Sequence, residues 1–270
     1  MNRRFRSLVA TTLLFVFATI LLGVATKSYG AGLACQARWP VCDGGLLNLF
    51  PESFPSFFEW IHRVVAGIGG LFIVGSAIES WRRETPTRIR YALTLGALLT
   101  PLQVLLGQQT VTNFGMSEVL TAHFWTAFTI FGAFAFAFVA TWADSIRSNH
   151  LTAAAVGGLV LFPANVLLTP PFISSYTPVL GTLQYAVLLV LVLAVLVLVV
   201  VGREKWSGTI RHAPLASLAA LPITVYLGRH LIAASTLHQT AYLLAGLVVY
   251  GGLIASAVGL WRAENTVAVA

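Results

Sequence analysis

Apolar residues run through this chain in long blocks, separated by short segments that collect nearly all of its charge. Eight blocks, near 7–26, 57–78, 91–109, 119–142, 151–169, 179–201, 214–233 and 236–260, each approach the roughly 20 residues that a helix needs to cross a hydrocarbon core of about 30 Å. The pattern predicts an all-α integral membrane protein with eight transmembrane helices. Pro101, Pro163 and Pro222 fall inside the third, fifth and seventh blocks, where each removes one backbone donor. The run from Leu8 to Thr26 is long for the apolar part of a signal peptide, and no strong cleavage site follows it. It is therefore expected to remain as the first helix.

Composition agrees with this reading. The 270 residues are 57% hydrophobic and 9% charged, against roughly 25% charged in soluble domains, so lipid has to cover most of the surface. A formal charge of +7 could in principle serve nucleic acid, but its placement argues otherwise. Arg3, Arg4, Arg6, then Arg82, Arg83, Arg88, Arg90, then Arg147, then Arg203, Lys205, Arg211, and last Arg262 all fall on one side if eight helices alternate. The other side keeps Lys27, Arg38, Arg63 and Arg229. Basic loops stay cytoplasmic, which predicts both termini inside a prokaryotic-type plasma membrane, with lipid as partner and no role for nucleic acid. No Gly-x-x-x-x-Gly-Lys loop is present, which argues against a nucleotide-driven machine. An Asp-rich pair for prenyl diphosphate and magnesium is also missing from the sequence.

The chain reads as two pseudo-repeated four-helix bundles, 1–147 and 148–270. In the first, Gly107 lies near the end of the third block and His123 in the first turn of the fourth. In the second, Gly228 lies near the end of the seventh block and His238 at the start of the eighth. Halves repeated in this way are a known plan for membrane proteins.

Three groups of residues could carry chemistry. Cys35 and Cys42 share the first outer loop, where an oxidising compartment favours a disulfide; metal binding would need more ligands, and Asp43 is the one obvious helper. Glu59, His62 and Arg63 open the second helix, and ionisable groups at membrane depth are costly and usually functional. Glu59 and Arg63, four apart, could equally form a simple helix pair. His62, His123 and His238 all lie in the outer part of the bilayer under the predicted topology. Two histidines across a bundle can ligate a haem iron, although a lone membrane histidine can also just hydrogen-bond a neighbour. Small residues one turn beyond His62 (Ala66, Gly69 and Gly70) would leave room for a flat ligand. In the second half the position matching His62 carries Gln184, a poor iron ligand, so a haem there would be five-coordinate on His238, take His230 instead, or be absent.

The segments Glu59-Trp60-Ile61-His62-Arg63, Ala122-His123-Phe124-Trp125 and Leu237-His238-Gln239, with the cysteine pair before them, resemble the haem A synthase family. That resemblance implies a membrane oxidoreductase that oxidises a methyl group of haem O to the formyl group of haem A, for terminal oxidases. It implies haem O as substrate between His62 and His123, with Glu59 catalytic beside the reacting methyl and Arg63 facing a propionate. It further implies haem b as cofactor on His238, a Cys35–Cys42 disulfide bracing the outer loop, a haem O-producing enzyme as partner, and a separate electron donor. A non-catalytic b-type cytochrome carrying electrons from quinol is the competing expectation.

Overall fold

The computed structural model describes residues 1–33, 35, 39, 42, 53–112, 116–172, 177–204, 206, 208–229, 231 and 235–269. Arg38, Asp43, Lys205 and His230 lie outside the described residues. Eight long helices follow one another: α1 (Arg3–Ser28), α2 (Phe54–Arg82), α3 (Thr87–Thr112), α4 (Ser117–Trp142), α5 (Ser148–Leu167), α6 (Pro178–Val200), α7 (Ala213–Arg229) and α8 (Thr236–Val269). With the 3-10 turn Gly208–His212 counted with α7, each is long and apolar enough to cross a membrane, and no strand occurs among the described residues. The protein is a multi-pass, all-helical membrane protein.

Local chemistry sets the helix ends. The Asn2 side chain accepts from the Arg4 amide at 2.8 Å and starts α1. Ser53 accepts from the Ser56 amide at 3.2 Å and starts α2 before its apolar block begins. Helices α3, α5 and α7 run through Pro101, Pro163 and Pro222. Helix α7 is described as far as Arg229. Leu14, Leu71, Leu98, Leu105, Leu237 and Leu247 stay largely exposed. In water such a surface would aggregate; in a bilayer it is the lipid-facing side.

The chain divides into two compact units, Met1–Thr141 with Thr177–Thr182, and Trp142–Tyr176 with Leu183–Ala270. In the first, α1 packs along α2, with Thr12 Oγ1 and Ser76 Oγ sharing a buried hydrogen bond of 2.8 Å and Phe15 stacked on Phe72. Gly69 does not leave open room: a Cβ there would touch the Phe15 side chain, so this glycine draws α1 close to α2. Helix α2 packs on α3. The ring of Phe134 (α4) lies on Gly96 (α3), and Phe131 (α4) meets Phe17 (α1). These contacts link the four helices in a closed circuit.

The second unit closes in the same order. Asn165 (α5) bonds the backbone of Gln184 (α6), Arg229 (α7) bonds Tyr185 (α6), and Ser217 (α7) bonds the Val249 carbonyl (α8) at 2.9 Å. Leu253 (α8) fills the space over Gly158 (α5). Small residues and hydroxyls at crossings are how membrane helices associate when lipid competes equally for their apolar faces.

A Cβ added at Gly96 would lie 2.6 Å from the fully buried Phe134 ring. Gly96→Ala is therefore expected to lower stability by about 1–3 kcal/mol through overpacking. Gly132→Ala, where the added atom meets nothing within 4 Å, should be neutral or slightly stabilising. Thermal unfolding of the two variants in detergent checks this; equal melting temperatures would refute the packing assignment.

Candidate functional site

Unit 1 gathers its polar residues at the end where α1 and α3 finish and α2 and α4 begin. Cys35 and Cys42 form a disulfide, buried to 1% exposure, and both sulfurs lie over the carbonyl of Ser56 in the first turn of α2. One turn further along α2, the Glu59 carboxylate accepts from Arg63 Nε at 2.8 Å. Glu59 is 6% exposed. Glutamate placed four residues before arginine is the favourable order for a helix pair, and a buried carboxylate needs such a partner. The pairing weighed in the sequence as the simple alternative is thus present. It fixes where the carboxylate sits beside His62.

The two histidines are seated alike. One nitrogen of the His62 ring meets the backbone of Thr19 on α1, and the ring edge rests on Gly23, four residues later. The amide of Gln103 on α3 approaches His123 Nε2 at 3.3 Å, and that ring edge rests on Gly107, again four residues later. A Cβ at Gly23 would come within 2.9 Å of His62 Cε1, and one at Gly107 within 3.1 Å of His123 Cε1. Each glycine therefore opens a slot on one helix for the imidazole of the next.

In both rings Nδ1 is buried with no hydrogen-bond partner, and so is Oε1 of Gln103. A buried polar atom left unmade costs about 1–3 kcal/mol, so two such imidazole nitrogens at one end of one bundle mark a place built for something else. Paired imidazoles fit an iron atom, and the apolar bundle fits a macrocycle around it.

Unit 2 has the same residue order but different contacts. Gln184, at the position matching His62, has its carbonyl bonded by Asn165 Nδ2 at 3.0 Å. The slot at Gly228 is filled by the ring of Tyr242, one turn beyond His238. His238 Nε2 instead donates to the carbonyl of Leu227, in the last turn of α7, at 2.8 Å. Arg229 donates to Tyr185 Oη at 2.8 Å. This donor set does not fit a haem held from two sides. His150, in the first turn of α5, accepts from the Arg147 amide as an exposed helix-start residue.

A family model described as COX15-CtaA, cytochrome oxidase assembly protein, matches residues 6–169. The chain belongs to that family. The match takes in Cys35, Cys42, Glu59, His62, Arg63, Gln103 and His123. Among relatives, a protoheme IX farnesyltransferase of Halobacterium salinarum is 33% identical over 151 residues, 56% of this chain and 32% of that protein. A heme A synthase of Bacillus licheniformis is 33% identical over 128 residues, 46% of this chain and 41% of that protein. A heme A synthase of Shouchella clausii is 33% identical over 126 residues, again 46% and 41%. The chain spans about a third to two-fifths of the length of these relatives.

Hydropathy and motif do not mark Thr19, Gly23 and Gln103. Their one signal in the sequence is a polar residue four positions before a glycine, in the helices preceding each histidine helix. Gly23→Ala and Gly107→Ala are expected to displace the rings they seat, lowering stability by about 1–3 kcal/mol. They should also weaken the low-spin absorption obtained on titrating the detergent-solubilised chain with haemin. Unchanged titrations for both variants would show that the glycine slots do not position the histidines.

Proposed function

We propose that this chain oxidises haem O to haem A, holding its substrate in unit 1. The observation that carries the reading is the pair of glycine-seated imidazoles, His62 and His123, each with a buried ring nitrogen that no protein group satisfies. Membership of a cytochrome oxidase assembly family and relatives named heme A synthase support it. In this reading His62 and His123 take the substrate iron from opposite sides and fix the ring plane. Glu59, one turn from His62, faces the methyl group that becomes formyl. Its carboxylate stabilises positive charge developing at that carbon or accepts the departing proton.

Arg63 keeps the Glu59 carboxylate in one orientation through its Nε–H. The guanidinium carries further donors that suit a propionate. The disulfide, stacked over Ser56, braces the start of α2 and so the height of Glu59 and His62 in the bundle. The loops rich in arginine lie in the cytoplasm with both termini, and the histidines of unit 1 then approach the outer face of a plasma membrane. The partner in this reading is the enzyme that makes haem O. A stretch like this chain within a protein named for farnesylating protohaem supports that pairing. The conversion balances as two hydroxylations of the methyl, each consuming one O2 with two electrons and two protons from a separate donor and releasing one water, after which the gem-diol loses water to give the formyl group.

Expression with a haem O source, followed by mass analysis of extracted haems, tests the activity. Haem A or the alcohol on the way to it is expected; recovery of haem O and haem b alone sinks the reading and favours a b-type cytochrome. Glu59→Ala should keep bound haem and lose turnover by roughly 10²–10⁴-fold, the usual span for a positioned acid–base group. Because it also breaks the buried pair with Arg63, it should cost about 3–5 kcal/mol of stability. Glu59→Gln, which retains an acceptor for Arg63, separates the two effects: turnover should fall while the melting temperature drops far less.

A further inference from the structure

We infer that the whole chain binds a single haem, in unit 1, and that His238 is a helix cap of unit 2 rather than an iron ligand. The inference rests on the proposed function of unit 1. What carries it is the difference between two sets of contacts built on the same residue order.

Thr19 and Gln103 lie inside α1 and α3, at least eight residues from each helix end. Their carbonyls already have helical partners, so the histidines beside them are not needed to satisfy the backbone. Leu227 is different. It lies in the last turn of α7, where helix carbonyls run out of intrahelical donors. His238 Nε2–H donates to it at 2.8 Å. In a bilayer no water can take its place. His238 Nε2 therefore carries a proton and is engaged at the end of α7.

The remaining contacts agree. The tyrosine ring of Tyr242 occupies the glycine slot that an imidazole occupies in unit 1. Asn165 stands on the backbone of Gln184, and Gln184 offers an amide where unit 1 offers His62. Arg229 and Tyr185 bond each other across α7 and α6. To admit a haem, His238 would have to give up the α7 end while Tyr242 vacated its slot. Unit 2 then serves as a folded companion to the reactive unit, locked by its own polar pairs. A chain with one iron has no internal iron-to-iron relay, so its reducing equivalents come to the substrate haem from outside the chain.

The test is haem stoichiometry of the purified full-length chain, saturated with haemin and assayed as pyridine haemochrome against protein by amino-acid analysis. One haem per wild-type chain is expected. The double variant His230→Ala, His238→Ala removes both candidate ligands of the second half and should still hold one. His62→Gly, His123→Gly should hold none, and added imidazole should restore its low-spin spectrum, which shows that the variant is folded. Two haems in wild type overturn the inference, as does haem that survives loss of His62 and His123 but disappears with His230 and His238. No haem in wild type sinks the proposed function, and this inference with it.

A second readout isolates the cap. His238→Leu should lower the melting temperature without changing haem content. His238→Gln keeps an amide donor for Leu227 and should restore most of that stability, although glutamine is a poor iron ligand. Loss of haem in His238→Gln with stability intact would also overturn the inference.

Discussion

Inside a bilayer a polar side chain has only the protein to bond, and every feature of this molecule follows from how that demand is met. Most of the buried polar groups are satisfied locally or across one helix crossing. Thr12 meets Ser76, Ser217 meets Val249, and Arg63 meets Glu59. Against that background an imidazole nitrogen with no partner stands out. The two in unit 1 lie at the same end of one bundle, on α2 and α4.

Glycine is what makes the arrangement possible. A helix normally hides its backbone behind its side chains, and a ring from the next helix is held off. Removing the Cβ at Gly23 and Gly107 lets His62 and His123 sink against α1 and α3. Each ring is then held by its edge and through one nitrogen, which leaves Nδ1 without a hydrogen-bond partner at each. In unit 2 a glycine slot is filled by a phenol ring instead, with Tyr242 on Gly228. A similar residue order thus carries different contacts in the two units.

Glu59 shows why residue identity does not settle a role. Its pairing with Arg63 is the expected structural solution for a buried carboxylate, and it also fixes the carboxylate one turn from His62. The two descriptions are compatible, because a charge held by a partner is already oriented when substrate arrives. The disulfide over Ser56 extends that order to the very start of α2.

The sequence by itself determined the class of the molecule. Blocks of about 20 apolar residues can be stable only as membrane helices, because an unsatisfied backbone in lipid is too costly. It also determined that two cysteines seven positions apart, Cys35 and Cys42, were available to each other, and that Glu59, His62 and Arg63 would share one stretch of helix. Tertiary structure decided the rest. The slots at Gly23 and Gly107 and the approach of Gln103 to His123 depend on which helix lies beside which. So does the engagement of His238 with Leu227. Hydropathy reports how a residue feels about lipid and is silent about its neighbour across a helix crossing; a histidine with a free nitrogen and a histidine closing a helix have the same hydropathy, and only the packed chain separates them.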